Sequence, residues 1–379
     1  MKRTIQWLRK EPMLLLSLAA AILGLCLTPP SAALFRKIDW RTLGTLLMML
    51  CVLEGFKQEN VLQPLADLAA KLKTMRSLSL FLVFAVFFSS MFVTNDVSLL
   101  IFVPLTILLF RQAGKEQYIL PIISMENIAA IRGSLLTPFG SPQNLFLFGQ
   151  VSVSAGRFML HMLPLCAMSA ALLAVFIAVC YRRNPKESAA PQAKPREAWR
   201  LDFRRGSYLV LFALILLVIV TRTKYWYAAL AVVLLTVAAV DRRLFRKVDY
   251  VLLVTFLCFF VFSSSIAGNG QIAAFLEKHV AGNEYWWAIG LSQLISNVPA
   301  SIVLYPFSQN FAGLIYGADT AGLCSLIGSL ASVINYRIYV REYPLGGGKF
   351  VKMFTLISWA FFLIVVIPGF LLTQWNFFD

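Results

Sequence analysis

Met91-Phe92-Val93-Thr94-Asn95-Asp96-Val97-Ser98 sits between two apolar runs, residues 78–93 and 97–110. Its Thr-Asn-Asp stands where a spanning helix would lie deepest in lipid. A carboxylate at that depth costs roughly 2.5–3.5 kcal/mol, which makes it a functional-site candidate. Two readings follow. Thr94, Asn95 and Asp96 bind a solute or ion, or they cap a helix that starts here, since these residue types are favoured N-caps.

The surrounding chain is too apolar for a water-soluble surface: 59% of its 379 residues are hydrophobic and 14% charged, against about 25% charge in soluble domains. Apolar stretches of spanning length recur throughout, so the expected class is an all-α polytopic membrane protein without a sizeable soluble domain. The formal charge of +16 is carried by loops between apolar runs, where orientation determinants belong. Neither a basic stripe nor a recognition motif points to nucleic acid. The six cysteines lie in or beside apolar runs, with no metal-type spacing and no disulfide framework, so neither a metal nor another cofactor is expected. The first apolar run, 13–28, follows Lys2, Arg3, Arg9 and Lys10 and precedes Pro29-Pro30. That dipeptide is no small-residue cleavage site, so the run reads as a retained first span with a cytoplasmic N-terminus.

Leu34-Phe35-Arg36-Lys37-Ile38-Asp39-Trp40 recurs as Leu244-Phe245-Arg246-Lys247-Val248-Asp249-Tyr250, with five of seven positions identical. Such a recurrence suggests repeated halves. Each half continues with an apolar span (42–53 and 251–264) and a short amphipathic stretch (61–73 and 271–280) suited to the interface. Thr94-Asn95 then has Pro104 ten residues after the Thr, and Ser296-Asn297 has Pro306 ten residues after the Ser. Gly133-Ser134-Leu135 and Gly328-Ser329-Leu330 follow in the same order. The expected division is a first helix in 1–33, repeat 1 in 34–182, a basic linker with two spans in 183–243, and repeat 2 in 244–379.

Charge placement predicts that the copies are inverted. The hairpin at about 78–110 is flanked by Lys71, Lys73, Arg76, Arg111 and Lys115, and reads as entering from the cytoplasm. The hairpin at about 285–311 is flanked by Glu277, Lys278, Glu284 and Asp319 and reads as entering from outside. Counted from a cytoplasmic N-terminus, the crossings bring the basic segment from Arg182 to Arg205, including Lys186, Lys194 and Arg196, to the inside, and Asp379 to the outside. Arg36–Arg41 and Arg222–Lys224 fall outside and disobey the rule that keeps basic loops cytoplasmic.

Thr137-Pro138-Phe139-Gly140-Ser141-Pro142-Gln143-Asn144 is the second signal. Two prolines and a glycine cannot continue a helix, so residues 118–150 read as a broken helix. Broken backbone at membrane depth is tolerated only where it is buried or lines a cavity. An external loop between two spans is the competing reading.

These stretches, with Asn127-Ile128, residues 133–144 and Gln293-Leu294-Ile295-Ser296-Asn297-Val298-Pro299-Ala300, resemble the ion-transporter superfamily of arsenite permeases, sodium/proton antiporters and citrate or dicarboxylate carriers. The resemblance covers nearly the whole chain and implies a transporter with inverted structural repeats, two re-entrant hairpins and broken helices meeting near the midplane. It implies solute- and ion-binding roles for Thr94, Asn95, Asp96, Thr137, Gly140, Ser141, Asn144, Ser296 and Asn297. In the dicarboxylate branch the tips read Ser-Asn-Thr. Here they read Thr94-Asn95-Asp96 and Ser296-Asn297-Val298, which removes one hydroxyl and adds a titratable group. The second broken segment also departs: Ser332-Val333-Ile334-Asn335 replaces the Gly/Pro-rich pattern and leaves Ser329, Ser332 and Asn335 as polar candidates.

A carboxyl held out of water favours its protonated form unless a cation sits beside it, so Asp96 is the expected proton-coupling residue. Glu126 and Arg132 flank Asn127 and could pair with each other, with Asp96 or with an anion; the simpler reading puts them at the interface, snorkelling. Gly346-Gly347-Gly348 has no P-loop context and reads as a flexible loop. The chain contains neither a Gly-x-Ser-x-Gly elbow nor a His-Glu-x-x-His pair, which leaves an intramembrane enzyme without identifiable chemistry. A channel is the other rival, less suited to opposed tips. The expectation is a non-enzymatic secondary transporter of an inorganic or organic anion in the inner membrane, with a cation/proton antiporter as the alternative. Its expected partners are a small anion, a coupling H⁺ or Na⁺, the lipid bilayer, and a second copy in a homodimer.

Overall fold

The computed structural model describes residues 12–28, 32–61, 63–69, 71–184, 187–189, 200, 202–221 and 223–375. The basic leader, Pro29-Pro30, Leu62, Lys186, Lys194, Arg196, Arg222 and Asp379 lie outside these residues, as do the side chains of Lys37, Leu65 and Asp67. The described chain is all helical: α1 (Pro12–Leu27), α2 (Ala32–Lys37), α3 (Trp40–Gln58), α4 (Gln63–Ala69), α5 (Met75–Val93), α6 (Asn95–Gln112), α7 (Ile119–Ser134), α8 (Pro142–Gln150), α9 (Ala155–Cys180), α10 (Phe203–Thr221), α11 (Trp226–Asp241), α12 (Tyr250–Gly268), α13 (Gly270–Val280), α14 (Glu284–Ile295), α15 (Asn297–Leu304), α16 (Phe311–Ala321), α17 (Leu330–Glu342) and α18 (Gly347–Leu372). By length and composition α5, α6, α9, α10, α12 and α18 can each cross a membrane. This is an integral multi-pass membrane protein.

The repeated heptapeptide ends in a helix cap. Asp39 accepts the Thr42 N–H at 2.9 Å and starts α3; Asp249 accepts the Leu252 N–H at 3.2 Å and starts α12. Their backbone angles agree within one degree (φ −79°, ψ 81° and φ −78°, ψ 82°).

Two hairpins follow, each closed at its base. Met75 N–H donates to the Glu187 carbonyl at 2.8 Å, and Lys115 Nζ lies 2.6 Å from the Glu187 carboxylate, so the start of α5 and the segment after α6 are tied to one residue. In the second hairpin Glu284, at the start of α14, accepts the Gln309 and Asn310 N–H groups at 2.8 and 2.9 Å. Glu284 is therefore a buried clamp, not the loop charge that its sequence context suggests. The hairpin ends in a 3-10 turn at Tyr305–Phe307, and Phe311 already belongs to the next helix.

Helix α18, about 39 Å long at 1.5 Å per residue, relates the two bases. At its start the Gly346 N–H donates to the Tyr343 carbonyl at 2.8 Å, and Arg111 reaches Tyr343 and Glu342 at 2.9 and 2.8 Å. Beyond its other end Asn310 donates to the Thr373 carbonyl at 3.1 Å. The hairpin bases thus sit at opposite ends of one long helix. With 12 and 8 residues, α14 and α15 are too short to cross a 30 Å core; α5 and α6 are long enough. Gly347 and Gly348 open α18 instead of forming the expected loop.

Candidate functional site

Each hairpin turns on one residue with positive φ. Thr94 has φ 71° and ψ 154°, and Ser296 has φ 70° and ψ 158°. For residues with a Cβ, that region costs about 1–3 kcal/mol and is held only where the surroundings impose it. The surroundings here are the helix breaks.

At the first tip the Asn95 N–H donates to the Gly140 carbonyl at 3.2 Å, and Thr137 Oγ1 donates to the Met91 carbonyl. Asn144 Nδ2 donates to the carbonyls of Ser134, Leu135 and Thr137 at 3.1, 3.2 and 3.2 Å, which satisfies the end of α7. Ser141 caps α8 by accepting the Asn144 N–H at 3.3 Å. The capping reading of Asp96 does not hold: Asn95 Oδ1 accepts the Asp96 N–H at 2.9 Å, while Asp96 Oδ1 has no hydrogen-bond partner among the described residues. Gln143 Oε1 and Asn144 Oδ1 are likewise buried and without partner.

At the second tip the Asn297 N–H donates to the Gly328 carbonyl, also at 3.2 Å. A relay holds this break: Gly328 N–H to Ser325 Oγ at 3.2 Å, Ser325 Oγ to Gln293 Oε1 at 2.7 Å, and Gln293 Nε2 to the Ala321 carbonyl at 3.1 Å. The structural counterpart of Gly328 is therefore Gly140, not the Gly133 suggested by the shared Gly-Ser-Leu. A Cβ on Gly140 would strike the Ser134 carbonyl oxygen, and one on Gly328 the Ala321 carbonyl oxygen. Ser141 and Ser329 accordingly occupy the same N-cap position. Residues 322–329 form the second break, and Ser332 and Asn335 lie within α17. Ser332 accepts from Asn127 Nδ2 at 3.0 Å, and Asn335 Nδ2 donates to the Ile123 carbonyl at 2.6 Å. These two side chains join α17 to α7, leaving the Oδ1 atoms of Asn127 and Asn335 unpartnered.

Counted from the helix ends, Arg132 and Asp319 occupy equivalent positions, two residues before the ends of α7 and α16. Both are buried and form an ion pair; Arg132 also donates to Thr320 Oγ1 at 3.3 Å. Glu126, equally buried, accepts from Thr106. The interfacial reading of Glu126 and Arg132 is thus overturned, and Asp319 is no loop residue. Neither partner of the ion pair is recognisable from sequence alone, because each looks like a charge at a span end. Gln293 and Ser325 were similarly hidden, since the tripeptide match set the wrong register.

Four helices begin at this centre, α6 and α8 beside the first tip and α15 and α17 beside the second. Of the four N-cap residues Ser141 makes a side-chain bond, whereas Thr94, Ser296 and Ser329 make none; at α6 the Asn95 side chain takes the Asp96 N–H instead. The Asn95, Asp96 and Asn297 N–H groups are already bonded; the other first-turn N–H groups of helices without an N-cap side-chain bond, and the positive end of the helix dipole, favour anions. The unpartnered oxygens of Asp96, Gln143, Asn144 and Ser296 offer acceptors to a proton or metal cation.

The fold and the site define a multi-pass membrane protein whose helices break in pairs at its centre. A family model described as citrate transporter (CitMHS) matches residues 5–328. The chain is 30% identical over 347 residues to the inner membrane protein YbiR of Escherichia coli K12, covering 88% of this chain and 89% of that protein. It is 28% identical over 335 residues to a protein of Methanocaldococcus jannaschii named an uncharacterized transporter, covering 86% and 90% of the two chains. The chain belongs to the citrate transporter family and is a membrane transporter of a small solute.

Proposed function

We propose that this protein carries a carboxylate or inorganic oxyanion across the inner membrane by alternating access, coupled to protons at Asp96. The observation that carries this reading is the pair of strained tips, each bonded to a glycine carbonyl in a helix break, beside four helix N-termini of which three have no side-chain bond from the N-cap residue. N-termini recognise the anion; the tip and break oxygens take the coupling ion. The two copies act as an inverted repeat, the hairpins are re-entrant from opposite faces, and the N-terminus is cytoplasmic. The citrate description of the family makes citrate the first substrate to test. A homodimer belongs to the same proposal.

A second reading, cation/proton antiport, draws on the unpartnered oxygens around Asp96. Uptake of radiolabelled citrate into proteoliposomes separates the two. An imposed proton gradient is expected to drive saturable accumulation, and Asp96→Asn to bring it down to the passive level with the protein still folded. Unchanged pH dependence in Asp96→Asn would remove the proton role. Sodium-driven proton flux without citrate uptake would favour the antiporter.

A further inference from the structure

Asp39, which shares one cavity with Arg36 and Arg41, shares another with Tyr305 and Pro306 near the base of the second hairpin, whereas Lys115 and Glu187 close the first. Basic residues are normally retained on the cytoplasmic side, and on the orientation proposed above these two are external. The structure gives them a setting. Arg36, Asp39, Arg41, Thr42, Thr45 and Gln150 line a cavity of about 300 Å³. Neither arginine forms an ion pair among the described residues. The nearby carboxylate is already engaged: Asp39 accepts from the Thr42 N–H at 2.9 Å, Thr42 Oγ1 at 2.7 Å and Gln150 Nε2 at 2.6 Å. Two guanidinium groups are thus set against one occupied carboxylate.

A second cavity of about 250 Å³ shares Asp39 and Gln150 and continues along Phe146, Ser263, Ile302 and Tyr305. The Asp39–Gln150 bond lies where the two adjoin. Phe146 is two residues beyond Asn144 on α8, and Ile302 is five beyond Asn297 on α15. The cavities therefore run beside two helices that lead away from the central site. Arg36 corresponds to Arg246 in the repeated heptapeptide, whereas Arg41 has Val251 in its place. The second arginine is specific to this side of the molecule.

We infer that the Arg36–Arg41 cavity is an anion-collecting vestibule. It takes carboxylate or oxyanion solutes with two or more negative charges, and the Asp39–Gln150 bond is the floor that opens to pass them inward along α8 and α15. A cleft of one sign with low-dielectric walls raises local counter-ion concentration and association rate, and salt weakens the effect. The inference rests on the anion reading above, so its test has one arm without transport.

In that arm the full-length protein in detergent is treated with phenylglyoxal and modification is read at each arginine by mass spectrometry. Citrate and sulfate are expected to protect Arg36 and Arg41, but not exposed Arg157, better than chloride at equal ionic strength. In the transport arm, Arg36→Gln/Arg41→Gln is expected to raise KM for citrate about tenfold with kcat retained, and to abolish the salt dependence of KM. Equal protection by chloride, or KM and its salt dependence left unchanged, overturns the vestibule. A fall in kcat alone also overturns it, by making the arginines structural. Protection without citrate uptake leaves the vestibule standing and rejects the transport reading; uptake without protection does the reverse.

Discussion

Arg132→Met is expected to destabilise the protein by about 3–5 kcal/mol, the usual cost of stripping one partner from a buried ion pair. Arg132 and Asp319 are almost completely inaccessible, at 0% and 1% exposure, so water cannot solvate the carboxylate left behind. Asp319→Leu should cost a similar amount by stranding the guanidinium, whose Nε already lacks a partner. Replacing both, Arg132→Met with Asp319→Leu, should restore most of the loss, because a hydrophobic pair of similar volume is often neutral or better. Unfolding in an SDS titration measures all three. Single variants as stable as the parent would show that the pair is not desolvated. The pair joins the ends of α7 and α16, so its integrity also bears on how the two breaks are held together.

Gly140→Ala and Gly328→Ala are expected to lower citrate uptake on the order of 100-fold each, the penalty that a shift of about 1 Å can exact from a positioned site. An added Cβ would meet backbone on both sides: the Ser134 carbonyl oxygen and Cα at Gly140, and the Ala321 carbonyl at Gly328. Backbone cannot swing aside as a side-chain end can. The displaced glycine carbonyl is the one that accepts from Asn95 or Asn297, so each tip would lose its anchor. Gly206→Ala, whose Cβ meets nothing within 4 Å, should be silent. Near-normal uptake in either tip-anchor variant would mean that the breaks are not part of the transport site.

The tips were legible in the sequence because Thr94-Asn95-Asp96 and Ser296-Asn297 are polar residues inside runs that lipid would otherwise demand apolar. The first break was legible because Pro138, Gly140 and Pro142 forbid a helix. The second was not. Residues 322–329 contain no proline, and their geometry depends on Gln293 and Ser325 reaching across from the hairpin and within the loop. The Gly-Ser-Leu coincidence then shifted the register by seven residues, from Gly140 to Gly133. Glu126, Arg132, Glu284 and Asp319 are hidden in the sequence for one shared reason. A charge near the end of an apolar run looks interfacial unless its partner is known, and Thr106, Asp319, Asn310 and Arg132 are brought to them only by the tertiary fold.

The opposed entry of the two hairpins is the central claim, and sided thiol labelling tests it most directly. Gln112 and Gln309 are exposed at the two hairpin bases. Gln112→Cys and Gln309→Cys would be labelled with a membrane-impermeant maleimide in right-side-out and inverted vesicles, with the parent protein as background. Residue 112 is expected to react only in inverted vesicles and residue 309 only in right-side-out ones. Labelling of both residues from the same side would contradict the account.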